Sequence, residues 1–463
     1  MRSRKLETQS SKTQGARPVV VSARAAFVAV VSSAFLLAAC AGGPQLPKLS
    51  SLNPFGKKPP PPLEGKRVSI MPKKSGIDSA ELATGSIPIS LPQAVQNASW
   101  SQPGGTPNNA PGHLALSNSV RRAWSSSVGT GSSKYGRLTA SPIVAEGRVY
   151  ALDAAAHVSA FSASGGGRSW RTNLTPEKES SREGYGGGLA YDSGRVYAAT
   201  GFGRVTALNP ATGKKMWEKV IGIPVRSSPT AAQNKVFVLT TSGRFFCLNG
   251  DNGEILWEYR GLTETTTISS NPSPAVDGDV VSVPYPNGEV VAIQISTGTP
   301  LWSDSLARTR AASSFASMSD AARPAVSNGV VYAVGNSGRM IATSQQTGER
   351  LWSANIPGSQ TPWVAGQHIF VVDTDGRLSA LNRESGQINW AVKLPDARTW
   401  SGPALASGTL WLASNKGGVV GVDAVSGRVA QKLSVGAPVY VAPVIANGMM
   451  YVLTDKAQLV AFR

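Results

Sequence analysis

Ala211-Thr212-Gly213-Lys214-Lys215-Met216-Trp217 is one copy of a phrase that recurs about every 40–50 residues: a small residue, glycine, three variable residues, tryptophan. It returns as Asp251-Asn252-Gly253 leading to Trp257, Ser296-Thr297-Gly298 to Trp302, Gln346-Thr347-Gly348 to Trp352, and Glu384-Ser385-Gly386 to Trp390. A weaker copy ends at Trp170, and Val425-Ser426-Gly427 is followed by Gln431 in place of the tryptophan. Around Trp217 the unit reads as four short strands. Gly187 to Tyr191, Arg195 to Thr200, Arg204 to Leu208 and Lys214 to Glu218 are separated by Asp192-Ser193-Gly194, Gly201-Phe202-Gly203 and Asn209 to Gly213. Runs of β-branched and aromatic residues between glycine, asparagine and aspartate turns are hairpins, because those turns need positive φ or a side chain that bonds its own backbone.

Four antiparallel strands in each repeat of about 40–45 residues predict an all-β chain built as a β-propeller. Complete repeats end at Trp170, Trp217, Trp257, Trp302, Trp352, Trp390 and Gln431. Trp124, in Val120 to Ser127, reads as a fourth strand with no first three, while the C-terminus supplies three strands, Pro443 to Gly448, Met449 to Leu453 and Leu459 to Phe462. Pairing the two ends gives an eighth blade, closed by the N-terminal strand around Trp124. Closure removes the free sheet edges that invite aggregation. Trp124, Trp170, Trp217, Trp257, Trp302, Trp352 and Trp390 are expected to pack between neighbouring blades, since one indole can cover the adjacent sheet.

Four segments follow from composition. Residues 1–39 carry a basic region (Arg2, Arg4, Lys5, Lys12, Arg17, Arg24) and an apolar stretch from Ala25 to Ala39 that is short for a bilayer span. That stretch ends Leu37-Ala38-Ala39-Cys40, which resembles the lipobox of bacterial lipoproteins; the resemblance implies that residues 1–39 are a lipoprotein signal peptide and that Cys40 is acylated. Two or more acyl chains suffice for stable membrane residence. Ala41 follows rather than aspartate, which by analogy favours the outer membrane. Residues 40–95, rich in Pro, Gly, Ser and Lys, are expected to be a tether within which Gly65 to Ile70 is patterned like a short docking strand. Residues 96–117 are a lead-in, and 118–463 the propeller.

The whole chain has a net charge of +18; without the six basic and one acidic residue of 1–39 it is +13. That balance points to acidic surfaces or partners, and the scatter of basic residues through turns argues against nucleic acid. Cys247, in a third-strand position, reads as a small buried apolar residue. His113, His157 and His368 do not fall at metal spacings and read as isolated surface or turn residues. Asp277, Asp279 and Asp373 read as turn stabilisers. Phosphate loops, nucleophile elbows and HExxH motifs are absent, so no catalytic residue, metal or cofactor is assigned.

The repeat itself resembles that of the pyrroloquinoline-quinone dehydrogenases, which raises an enzyme reading. In that family adjacent cysteines cover the cofactor, and this chain has only Cys40 and Cys247. Lipobox, Pro-rich tether and eight Trp-bearing blades together are similar to the BamB family, lipoprotein subunits of the outer-membrane β-barrel assembly machinery. Gly65 to Ile70, Asn97 to Gly105 with His113 to Leu116, and Ile221 to Thr230 carry the likeness. The resemblance implies a non-enzymatic scaffold, lipid-anchored on the periplasmic face of the outer membrane. It implies binding to the POTRA domains of BamA and to other subunits, and assistance to unfolded outer-membrane proteins. Family members contact BamA through an apolar-x-apolar-Arg phrase, matched here by Ile223, Val225 and Arg226, while companion acidic residues have no match around Ser269, Ser270 and Asn271. A quinoprotein dehydrogenase and a propeller that binds envelope polysaccharide are the competing readings.

Overall fold

Alternating apolar runs broken by glycine turns become eight four-stranded antiparallel sheets arranged as a β-propeller. The computed structural model describes residues 88–117, 119–134, 136–261, 272–306 and 321–463. Residues 1–39, Cys40, the Gly65 to Ile70 stretch, Ser269, Ser270 and Asn271 lie outside the described residues.

Counting blades from the inner strand, blade 1 starts at Ile143–Ala145, blade 2 at Gly187–Asp192, blade 3 at Thr230–Ala232 and blade 4 at Ala275–Asp277. Blades 5 to 8 start at Ala325–Ser327, Trp363–Ala365, Trp400–Ala406 and Val444–Ala446. Blade 8 is composite: Val444–Ala446, Met449–Leu453 and Gln458–Phe462 are completed by Arg122–Ser127 from the other end of the chain. Reciprocal backbone bonds between Arg121 and Arg463, at 2.9 and 2.8 Å, extend the seam to the last residue.

Within a blade, the two middle strands are buried on both faces, as Arg195–Thr200 and Arg204–Leu208 are in blade 2, because each sheet is sandwiched between its neighbours. The outer strand, Lys215–Val220, is exposed at alternate positions, with Trp217 half-buried. Its edge is dressed with charge: Arg204 reaches Glu218 at 2.7 Å and, in blade 3, Arg244 reaches Glu258 at 2.5 Å. Such pairs contribute little stability but make a poor template for another strand.

A β-bulge precedes the tryptophan. In blade 2, Ala207 faces Trp217 while Leu208 faces Lys215, so Met216 is the extra residue; the same slip recurs at Trp257, Trp302, Trp352 and Trp390. Each bulge aims its indole at the next blade. The indole N–H of Trp217 donates to Gly250 O at 2.9 Å, and the ring lies on Gly253, where an added Cβ would sit 2.6 Å from Cε3. Gly253 also holds φ +74, a region disfavoured for any residue with a side chain. The pattern repeats around the ring. Trp124, Trp170, Trp257, Trp302, Trp352 and Trp390 donate to Ala163, Pro210, Ile295, Gln345, Arg383 and Ala424 at 2.8–3.1 Å, each carbonyl three residues before the glycine that the ring covers. The glycine and tryptophan adjacent in sequence therefore serve different interfaces. Gln431 has a reason as well: its neighbour, blade 8, has chain ends where the other blades have a glycine turn.

Residues 88–117 form a hub that meets the inner strand of every blade. Trp100 exchanges backbone bonds with Val144 of blade 1, at 2.7 and 2.8 Å, and Ser101 O accepts Tyr191 N of blade 2 at 2.8 Å. The Gln102 amide acts as a backbone surrogate for blade 3, donating to Ala231 O at 2.7 Å and accepting Ala231 N at 3.1 Å. Pro107 O and Asn108 O accept Val276 N and Val326 N, each at 2.8 Å, from blades 4 and 5. Gly112 O accepts the Trp363 indole at 2.9 Å for blade 6; Leu114 pairs with Leu405 and Ser407 of blade 7. Asn97 bonds Ile445 O and Asn447 N of blade 8. Residues 88–95, assigned to the tether by composition, belong with this hub: Ile89 is buried and Val95 pairs with His113 and Ala115.

The interlock is testable in blade 2. Trp217→Ala should cost about 3 kcal/mol in urea unfolding, and Gly253→Ala at least about 1 kcal/mol from its φ alone. Because the added methyl meets the indole, Gly253→Ala should cost less in the Trp217→Ala background than in the wild type. Strict additivity would show that ring and glycine do not act as one contact.

Candidate functional site

The connectors that run from an outer strand to the next inner strand share one end of the propeller, and two features sit among them. The first is the connector between blades 2 and 3, which holds Ile223 to Arg226. Gly203 permits its path: at φ +67, an added Cβ would strike the Ile223 backbone at 2.7 Å. Pro224 O accepts Thr241 N at 3.0 Å and Arg226 O accepts Gly187 N at 3.2 Å, so both ends of the phrase are pinned. The three residues then diverge. Val225 is fully buried in the core between blades 2 and 3, so its side chain cannot meet a partner; its backbone, fixed by the flanking bonds, turns it inward. Ile223 is half-buried beside exposed Gly222 and Pro224. Arg226 stacks over Tyr185, its Cζ 4.4 Å from the ring centroid, and makes no ion pair among the described residues. A guanidinium so held is pre-oriented, with its in-plane donors still available. Tyr185 was not singled out from the sequence; only its place on the adjacent connector reveals it.

The second feature is a cavity of about 360 Å³ at the centre of the same end. Its walls are connector residues, among them Ser141, Arg323, Gln360 and Tyr440, and its floor is the hub, through Trp100 and Asn109. The hub thus stops the axial channel.

The histidines hold structure, and two of them serve the hub. His113 Nδ1 lies 2.6 Å from Pro92 O and its Nε2 accepts Gly408 N at 2.8 Å. His368, expected at a surface or turn, is buried on the second strand of blade 6, and its Nε2 accepts Ser90 N at 3.3 Å. The sequence pattern does not mark it because all of His368–Val372 is buried, a consequence of the strand's middle place in its blade. His157 pairs with Asp153. Asp373 is buried in a turn, accepting the backbone N–H groups of Asp375 and Arg377, and burial raises its carboxyl above the usual range. Asp279 accepts Ser296 N and Oγ. Cys247 is buried in the third strand of blade 3, where desolvation pushes the thiol up to about 12 and keeps it unreactive.

The family described as Outer membrane protein assembly factor BamB matches residues 154–392 and 390–463. The chain belongs to the BamB family. A BamB of Shewanella oneidensis is 27% identical over 205 residues, covering 43% of this chain and 51% of that protein. The chain spans about half the length, or less, of the curated relatives it matches. Among solved structures, BamB from Moraxella catarrhalis superposes with a TM-score of 0.66 at 18% identity, over 74% of this chain and 100% of that one. A quinohemoprotein alcohol dehydrogenase from Comamonas testosteroni reaches 0.64 at 13% identity, over 80% and 81%. Both likenesses concern the fold.

The quinone site of such dehydrogenases does not fit the residues present. The chain's two cysteines are not adjacent, and among the described residues no three His, Cys, Asp or Glu side chains converge to hold a metal. The described lining of the axial cavity includes no carboxylate.

A pH dependence follows from His368. Burial holds its pKa below the ordinary value, so the folded state favours the neutral ring. Stability from this group is complete above about pH 6.5 and is lost as pH falls through the folded value. Protonation also removes the acceptor for Ser90 N–H. The thermal midpoint should fall between about pH 7.5 and 5.5 and Ser90 amide exchange should quicken. His368→Gln, which keeps an acceptor but cannot titrate, should flatten both; an equal fall in that variant would refute the assignment.

Proposed function

We propose that this chain is a non-enzymatic scaffold subunit of the outer-membrane β-barrel assembly machinery. It is anchored by an acylated Cys40 on the periplasmic face of the outer membrane and binds the POTRA domains of BamA. The observation that carries the reading is Arg226: stacked on Tyr185, without an acidic partner among the described residues, and beside half-buried Ile223 on a connector of a BamB-family propeller. An arginine flanked by apolar surface is a common centre of binding energy, because its forked donors match a carboxylate while its plane stays packed. Val225 supports the loop from within. Its role is to keep the connector's shape.

Assistance to unfolded outer-membrane proteins and contact with other subunits follow from the same reading. The +13 charge of the chain beyond residue 39 suits acidic partners. In this reading the propeller contributes positioning, and the assembly chemistry belongs to its partners.

The test is co-purification from detergent-solubilised envelopes. Wild type should retain BamA, and Arg226→Glu and Ile223→Asp should each weaken the complex by about tenfold or more, the loss expected for a hot-spot side chain. Val225→Ala should lower the thermal midpoint with a smaller effect on binding. Retention of full BamA binding by Arg226→Glu would remove the named site, and absence of BamA from the wild-type complex would overturn the scaffold reading. Dye-linked alcohol oxidation with added quinone would replace it by a dehydrogenase.

A further inference from the structure

The axial cavity contains one charged side chain among its described lining, Arg323, and that charge meets no carboxylate among the described residues. Arg323 lies on the connector into blade 5. Its Nε donates to Ser273 Oγ at 2.6 Å, on the connector into blade 4, and Nη1 donates to Thr361 Oγ1 at 3.3 Å, on the connector into blade 6. Both partners are neutral hydroxyls. They orient the guanidinium and occupy two of its five N–H donors, but they do not neutralise it. Desolvation lowers its pKa to about 10, which still leaves it charged at neutral pH. By contrast, Arg204, Arg244 and Arg350 on the propeller's rim each meet a carboxylate. Arg323 is half-buried, and a partly desolvated charge that meets no described carboxylate gains when an anion enters.

A second observation is independent of the charge. Three other residues of the lining, all more than nine-tenths buried, carry polar atoms with no partner among the described residues: Trp100 Nε1, Asn109 Oδ1 and Ser141 Oγ. Buried polar atoms gain from a partner, so these three leave hydrogen-bonding capacity around the cavity for whatever enters it. The hub and blade 6 also contribute a flat apolar surface, Trp100 against Trp363 with ring centroids 6.0 Å apart and planes at 26°.

We propose that this cavity binds a small organic carboxylate, its oxygens at Arg323 and its flat apolar portion against Trp100 and Trp363. The volume, about 360 Å³, lies in the range of small-molecule sites and is too small for a folded partner. A carboxylate matches the forked guanidinium in two-point geometry. Trp100 Nε1 and Ser141 Oγ add neutral donors. The single positive charge, with no acidic side chain among the described lining, disfavours cations.

Isothermal titration of the full chain tests this with sodium benzoate, acetate, benzamide and inorganic phosphate as probes. Benzoate should bind with one-to-one stoichiometry. Benzamide, which keeps the ring and loses the charge, should bind at least about tenfold more weakly, as the loss of a charge-assisted pair requires. Acetate should also be weaker, for want of the ring. Arg323→Gln should reduce benzoate affinity by about tenfold or more. If that variant fails to fold, the benzoate and benzamide pair on wild type decides the matter alone. Saturable benzoate binding that is absent up to about 10 mM overturns the proposal. So does benzamide binding as tightly as benzoate, or unchanged affinity in a folded Arg323→Gln. Phosphate binding tighter than benzoate would make the site one for inorganic anions and overturn the assigned ligand class.

Discussion

A bare glycine under an indole is the contact on which the propeller depends. Each blade is a thin sheet with two apolar faces, and neither can be left to water. At the rim, where side chains become polar, the tryptophan of one blade extends apolar cover over the turn of the next, and its N–H satisfies a carbonyl of that turn. The contact needs a close approach, which only glycine allows, and a bulge that aims the ring. Seven such contacts run around the ring, and the eighth junction lies where the turn is replaced by the chain ends.

The hub solves a different problem. Eight inner strands surrounding an axis expose their unpaired backbone groups toward it, and an open channel would leave those groups to water. Residues 88–117 satisfy them one blade at a time, using backbone for Val144, Tyr191, Val276 and Val326 and side chains for Ala231 and Ile445. By stopping the channel, the hub turns a pore into a blind cavity. The open end is also the end that carries Ile223 and Arg226, so these two and Arg323 of the cavity all lie on connectors.

What could be read from the sequence follows from periodicity. Gly253 and Trp257 belong to a repeat, so their spacing announces blades, and the lone strand around Trp124 announces the closing seam. The indole's partner is hidden in the sequence, because Gly213 and Trp217 are only four residues apart yet serve opposite faces of their blade. The hub left no periodic trace: its partners lie between Val144 and Asn447, and a segment rich in Pro, Gly and Asn looks like linker by composition. Val225 shows the limit for a site. A motif of alternating apolar residues does not say which of them turns inward, and here the buried one is Val225. Arg323 is one arginine among many until the ring brings Ser273 and Thr361 to either side of it.

The hub's position in the chain has a consequence for assembly. It is synthesised before any blade, yet its partners include Asn447, close to the last residue. No partial ring can offer all eight docking points, so a segment made before any blade is among the last to settle. A ring with a missing, swapped or misregistered blade would leave the segment with an unmatched place. Its release would expose Ile89, Trp100, Leu114 and Leu116, all buried in the core of the closed ring.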